Sequence, residues 1–203
     1  MVPSSPAVVN GVVYIASHDH KVYALNATNG IQLWNYATGS IINSSPAVVG
    51  NEVYFGSVDS KVYCLNALMG AFIWSYNTNY RIDSSPAVFD GRVYIGSESN
   101  KTYCLDSVTG TLIWSYTTGG SVQSSLVVVN GVVYINSSDG KLYAFGNSPT
   151  LSPTPTTTPT TSLAPSPTIP EVPYQLAEIA LVISIIMVLS TVIIAKKRRT
   201  RIF

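Results

Sequence analysis

The stretch Cys104-Leu-Asp-Ser-Val-Thr-Gly110-Thr-Leu-Ile-Trp114 closes a unit that opens at Ser84-Ser-Pro-Ala-Val88. Forty residues in either direction, the unit returns. Trp34, Trp74 and Trp114 keep that spacing, as do Gly30, Gly70 and Gly110. So do Tyr14, Tyr54, Tyr94 and Tyr134, with Tyr23, Tyr63, Tyr103 and Tyr143. Lys21, Lys61, Lys101 and Lys141 follow the same beat. Several residue types locked to one period without a gap mark an internal repeat. A period near forty with several short strands per unit is the signature of a propeller blade.

Inside the unit the pattern predicts four strands. In the third copy they are Pro86–Phe89, Arg92–Ser97, Lys101–Leu105 and Thr111–Tyr116. Val-Tyr-Ile-Gly-Ser and Lys-Thr-Tyr-Cys-Leu alternate as half-buried strands do. Asn10-Gly11, Asp90-Gly91 and Asn130-Gly131 are expected to form type I′ hairpins, and Asp139-Gly140 to do the same one turn later. The second copy reverses the order to Gly50-Asn51. Gly30, Gly70 and Gly110 occupy the third turn, where a Cβ is expected to clash. A lone four-stranded meander cannot bury both faces, so copies stack. Trp34, Trp74 and Trp114 are the expected packing keys between blades, since one large aromatic buries on the order of 150–250 Å².

At these residues the chain resembles the PQQ-type, or quinoprotein-like, β-propeller repeat. That family's tryptophan-docking motif runs Ala-x-Asp-x-x-Thr-Gly-x-x-x-Trp. Here it reads Ala24-Leu-Asn-Ala-Thr-Asn-Gly30-Ile-Gln-Leu-Trp34, then Cys64-Leu-Asn-Ala-Leu-Met-Gly70-Ala-Phe-Ile-Trp74, then the stretch that ends at Trp114. The resemblance covers residues 4–146. It implies an all-β fold of four-stranded antiparallel blades. It does not by itself imply an activity, because the family holds both quinone-dependent dehydrogenases and a non-catalytic outer-membrane assembly lipoprotein. Its dehydrogenases hold PQQ on the axis with a Ca²⁺ bound by Glu, Asn and Asp, an Asp base and an adjacent Cys-Cys ring. This chain has no Cys-Cys pair. The expectation is therefore no catalytic residue, no cofactor and no metal.

The repeats divide as 4–43, 44–83, 84–123 and 124–146, about 3.75 blades. The fourth copy ends at Lys141-Leu-Tyr-Ala-Phe145 without a Gly-x-x-x-Trp strand. A partial propeller is the expectation, either because the natural N-terminus lies upstream of Met1, or as an open four-blade arc, or with two chains completing one ring. Open blade faces would invite self-association.

Other residues offer weaker signals. His18-Asp19-His20 could chelate a transition metal, but it falls on a turn where the other copies hold ordinary polar residues. Cys64 and Cys104 are one period apart and read as small buried thiols. Asn26, Asn43, Asn100 and Asn136 begin Asn-x-Ser/Thr sequons. Some of the tyrosines could line a surface for peptide or sugar contact.

The chain changes character after the repeats. Residues 147–173 are rich in Pro, Thr and Ser and read as an extended stalk, at about 3.1 Å per residue, with or without O-glycans. Residues 174–195 read as a membrane-spanning helix. From Ile179 to Ala195 that segment carries no charge, and about twenty apolar residues cross a bilayer. The basic end, 196–203, with Lys196, Lys197, Arg198, Arg199 and Arg201, marks the cytoplasmic side. The propeller is then outside. Such a topology needs an export signal, and Met1-Val-Pro-Ser-Ser has neither basic nor apolar character, which again points upstream of Met1. The layout also resembles the sorting signals of prokaryotic surface proteins, although Pro170-Glu-Val-Pro173 has Val where those carry Phe.

The repeat region has a small acidic excess, so it lacks the basic footprint of a nucleic-acid binder. These features point to a non-enzymatic, membrane-anchored extracellular propeller that binds a protein or cell-envelope partner. The alternatives are the C-terminal part of a PQQ-dependent dehydrogenase and a structural surface-layer component.

Overall fold

Four antiparallel meanders follow one another along the chain. The structure, a computed structural model, describes residues 4–146. The stalk at 147–173, the spanning segment at 174–195 and the basic tail at 196–203 lie outside the described residues. Among the described residues there is no helix long and apolar enough to cross a membrane.

The first blade consists of β1 (Ala7–Val9), β2 (Val12–Ala16), β3 (Lys21–Asn26) and β4 (Gln32–Ala37). The second consists of β5 (Ala47–Val49), β6 (Glu52–Gly56), β7 (Lys61–Asn66) and β8 (Phe72–Asn77). The third has β9 (Ala87–Phe89), β10 (Arg92–Ser97), β11 (Lys101–Asp106) and β12 (Leu112–Thr117). Among the described residues the fourth has three strands, β13 (Val127–Val129), β14 (Val132–Asn136) and β15 (Leu142–Gly146). Every sheet keeps sequence order, so each is a simple meander. The fold is therefore a partial β-propeller.

The Ser-Ser-Pro-Ala-Val openings explain how the innermost strands are set. The first serine pins the chain to the end of the second strand of its own blade. Ser4 Oγ donates to the Ala16 carbonyl at 2.9 Å and accepts the Ala16 N–H at 3.0 Å. Ser84 makes the same pair of bonds with Gly96, and Ser44 accepts the Gly56 N–H. The second serine points to the next blade. The Ser5 N–H donates to Ser45 Oγ, and the Ser45 N–H to Ser85 Oγ. The innermost strands accordingly lie side by side, β1 by β5, β5 by β9 and β9 by β13.

Between blades the packing is apolar. Blade 1 contributes Tyr14, Val22, Ala24 and Trp34 to a core completed by Val53, Phe55, Tyr63 and Leu65 of blade 2. The next junction sets Tyr54, Val62, Cys64 and Trp74 against Val93, Ile95, Tyr103 and Leu105. The third sets Tyr94 and Cys104 against Val133, Ile135, Tyr143 and Phe145.

Asn10-Gly11, Asp90-Gly91 and Asn130-Gly131 each place two successive residues at positive φ, as a type I′ hairpin requires. Asp139-Gly140 is different and corrects the expectation. Only Gly140 is left-handed, at φ +79. The turn is a longer one, closed by Ser137 N–H to the Lys141 carbonyl and Gly140 N–H to the Ser137 carbonyl. His20, Ser60 and Asn100 occupy the same left-handed position in the other blades. The extra residues leave Asp139 free to accept the Lys141 N–H and the Tyr143 hydroxyl.

Candidate functional site

Two constellations recur across the blades. The first is the junction itself. The Trp34 indole N–H donates to the Ala67 carbonyl of the next blade at 2.9 Å. The Tyr14 hydroxyl donates to that same carbonyl at 3.1 Å. One junction on, the Trp74 N–H and the Tyr54 hydroxyl both donate to the Ser107 carbonyl, at 2.9 and 3.3 Å. The two rings of each pair lie tilted, 5.9 Å apart. A turn carbonyl that would otherwise be stranded at an apolar junction is thus doubly satisfied.

The glycine of the motif belongs to this clasp, but with the tryptophan of the preceding blade. A Cβ on Gly70 would stand 2.7 Å from the Trp34 ring, and one on Gly110 would stand 2.5 Å from the Trp74 ring. Gly30 is also left-handed, at φ +72, yet has nothing within 4 Å. The expected clash thus exists at two of the three positions. The reason is geometric: the crowding comes from the preceding blade's tryptophan, and no such ring stands over Gly30 among the described residues. Trp114 is half-buried and meets Phe145 at 5.3 Å between ring centroids.

A β-bulge aims each tryptophan. Ala24 faces Trp34 while Leu25 faces Gln32, so Leu33 is the extra residue. Ile73 and Ile113 are extra in the same way. The repeat pattern did not reveal this offset. A clue was present in Leu-Trp and Ile-Trp, adjacent apolar residues that strict alternation cannot both bury.

The second constellation is polar. It crosses the four blades on the face that carries the β2–β3, β6–β7, β10–β11 and β14–β15 turns. His18 Nε2 meets Asn43 Oδ1 at 2.7 Å, and Asn43 Nδ2 donates to Asp83 Oδ1 at 2.8 Å. Asp83 takes the Arg81 guanidinium at 2.7 Å, and the same guanidinium reaches Glu98 at 2.9 Å. The Gln123 side-chain amide donates to Glu98. Asn43, Asp83 and Gln123 are repeat equivalents, forty apart. Burial alone would raise the Asp83 carboxyl. Hydrogen bonds from Asn43 and Arg81, with the charge of Arg81, outweigh it and hold the carboxyl below its ordinary value.

Sequence reasoning missed this string. Its only signal was a position that stays polar but changes identity between copies whose surroundings hardly change.

The His18-Asp19-His20 turn does not gather its side chains. His18 is engaged with Asn43, Asp19 accepts the Tyr23 hydroxyl, and His20 is exposed at φ +71. Cys64 and Cys104 are free and buried, and burial pushes both thiols up to about 12. Among the sequon residues, Asn26 spends its carbonyl oxygen on the backbone of its own turn, and Asn43 is engaged as described.

Comparison with known proteins places this geometry. A family model described as outer membrane protein assembly factor BamB matches residues 2–81 and 59–148. A search of curated proteins finds no match. Among solved structures, BamB from Moraxella catarrhalis superposes with a TM-score of 0.65 at 23% identity, covering 71% of this chain and 46% of that one. The quinohemoprotein alcohol dehydrogenase ADHIIG from Pseudomonas putida HK5 gives 0.62 at 22% identity, covering 70% of this chain and 28% of that one. The computationally designed Ika4 protein gives 0.66 at 17% identity, covering 72% of this chain and 91% of that one. The chain thus spans less than half the length of the BamB and dehydrogenase chains, and these likenesses speak to fold.

Proposed function

Because the chain belongs to the family described as outer membrane protein assembly factor BamB, we propose that it is a binding scaffold and not a catalyst. The observation that carries this reading is the polar string from His18 to Gln123. Its charged groups are spent on one another: Arg81 on Asp83 and Glu98, Asp83 on Asn43 as well. A general base or a nucleophile needs a group poised for substrate. A string whose members are already paired instead holds a broad face rigid, and rigid faces suit partner recognition. The partner is a protein or a cell-envelope component. The scaffold stands outside the cell on the 147–173 stalk, held by a single span at 174–195 with residues 196–203 cytoplasmic. This part of the reading rests on the apolar run and the basic end of the sequence.

The test is site-specific photo-crosslinking in cells that make the full chain. A photoreactive residue at Gln123, on the polar face, is expected to trap one reproducible species. The same group at Val108, on a β11–β12 turn tip, is expected to trap none. Equal or absent trapping at both positions, together with saturable binding of PQQ in the presence of Ca²⁺, would sink the scaffold reading and favour the dehydrogenase one.

A further inference from the structure

One buried hydroxyl has no use in the fold. Thr102 lies in β11, fully buried, and its Oγ1 has no hydrogen-bond partner among the described residues. The equivalent residues of blades 1 and 2, Val22 and Val62, are fully buried too and carry a methyl where Thr102 carries oxygen. Burying an unpaired hydroxyl costs free energy that nothing at the site returns. Val is as good a strand former as Thr. Packing therefore accounts for the shape of Thr102 but not for its oxygen.

The oxygen does complete Asn100-Lys101-Thr102, an Asn-x-Thr sequon. Geometry separates this sequon from the other three. Asn100 stands at the tip of the β10–β11 turn, exposed, at φ +60. That turn accepts His20 and Ser60 in other blades, so it does not demand Asn. The Asn100 carbonyl takes the Thr118 N–H at 2.7 Å and the Thr118 hydroxyl at 2.9 Å, so the backbone holds the turn. Its side-chain amide makes no hydrogen bond among the described residues. The other sequons are tied into the fold. Asn26 holds its amide in its own turn through Oδ1, which accepts the Thr28 and Asn29 N–H groups. Asn43 spends Nδ2, the atom a glycan would take, on Asp83, and its sequon hydroxyl, Ser45 Oγ, accepts the Ser5 N–H. Asn136 ends β14, where the equivalents Ala16, Gly56 and Gly96 are buried, and its sequon hydroxyl, Ser138 Oγ, bonds Ser121 Oγ.

We propose that Asn100 is an N-glycosylation site, and that residue 102 is Thr because the sugar transferase reads a hydroxyl two residues past the acceptor. The proposal rests on the extracellular reading given above. The donor is an oligosaccharide joined to a polyprenyl phosphate. Asn100 Nδ2 forms the bond to C1 of the first sugar, and the C1–O bond to phosphate breaks. The lipid phosphate leaves with that electron pair, and Nδ2 gives up one proton. In the folded chain β11 lies between β10 and β12 with Thr102 fully buried, so no enzyme reaches its hydroxyl. The sugar is therefore added before the blade closes. Folding then hides the hydroxyl and leaves the glycan at an exposed turn tip, where it displaces no side-chain contact.

The experiment makes the full chain in a host whose exported proteins carry Asn-linked glycans. The tryptic peptide Val93–Lys101, which ends just past Asn100, is weighed before and after enzymatic release of the glycan, which leaves Asp in place of Asn. Asn100 is expected to carry a glycan in most molecules. Thr102→Val is expected to abolish it, with the fold retained by far-ultraviolet circular dichroism, and Thr102→Ser to keep it. A membrane-impermeant amine label on intact cells, read at the exposed Lys61 and Lys141, reports separately whether the repeats are outside. Labelled lysines with a bare Asn100 would overturn the proposal and leave the extracellular reading standing. A glycan that survives Thr102→Val, or one carried by Asn26, Asn43 or Asn136 with Asn100 bare, would overturn it as well. Unlabelled lysines with no glycan would overturn both readings together. None of these outcomes depends on whether the polar face traps a partner.

Discussion

Thr102 is where the repeat departs from itself. Val22 and Val62 hold the equivalent positions, all three are fully buried, and the Thr102 hydroxyl has no hydrogen-bond partner among the described residues. An unsatisfied buried hydroxyl costs about 1–3 kcal/mol. Thr102→Val is therefore expected to raise the stability of the folded chain by about 1 kcal/mol, read as a higher midpoint in urea with an unchanged slope. The clasp glycines give a graded series. Gly30→Ala strains only a left-handed backbone, at about 1–2 kcal/mol. Gly70→Ala and Gly110→Ala add the collision with Trp34 or Trp74, and overpacking contributes about 1–3 kcal/mol more. Equal losses at Gly30 and Gly70 in the same denaturation assay would show that the tryptophan does not press on the turn. Another residue-scale exchange needs no test to be read. Asp59 and Asp139 accept N–H bonds from Gly39 and Gly119 of the preceding blade, while the equivalent positions are Ser99 in blade 3 and Asn79 in blade 2. Asn79 adopts φ +64 and closes on Asn77 instead.

Among the elements, the outermost strand of each complete blade does two jobs. Its bulge turns Trp34, Trp74 or Trp114 inward and leaves Leu33, Ile73 and Ile113 partly exposed along the rim. The segments that lead into the innermost strands carry Asn43, Arg81, Asp83 and Gln123 of the polar string, and part of the acid dependence lies here, beside that of Asp19, Asp106 and Asp139, which also titrate below their ordinary value. The Asp83 carboxyl titrates below its ordinary value in the folded chain. A depressed carboxyl adds stability that is present above the unfolded value, about 3.9, and is lost as pH falls through the folded value. The melting temperature is thus expected to be level near neutrality and to drop below about pH 4. Asp83→Asn removes part of that drop, while lowering the plateau because Arg81 then keeps only Glu98. A variant whose acid limb matches the wild type would show that Asp83 is not tied to Arg81 and Asn43 in solution.

At the scale of the whole molecule, stability is a sum of junctions, each repeating the last. Cys64 and Cys104 report on different ones, since Cys64 lies between blades 2 and 3 and Cys104 between blades 3 and 4. Both thiols are buried and pushed up to about 12, so the thiolate is scarce at neutral pH. Neither is expected to react with a thiol reagent in the native protein at pH 8. Along a urea titration, Cys104 is expected to open first, because Trp114 at its junction is only half-buried while Trp74 at the other is buried. Simultaneous release of both would mean that the arc unfolds as one unit.

The strands, their order, the hairpin glycines and the stacking of blades were legible in the chain, because a period of forty repeats both backbone chemistry and burial. The forty-residue spacing of Trp34, Trp74 and Trp114 was legible for the same reason. The polar string was not, because hydrogen bonds from His18 to Asn43 and from Asn43 to Asp83 join residues 25 and 40 apart in sequence. Such bonds exist only once neighbouring blades are set side by side. Nor could the sequence tell that Gly70 answers to Trp34 and not to Trp74, since one period looks the same forwards and backwards. Local propensity and periodicity determine what each blade is. The tertiary structure alone decides which blade face meets which, because that choice depends on the direction in which successive sheets stack.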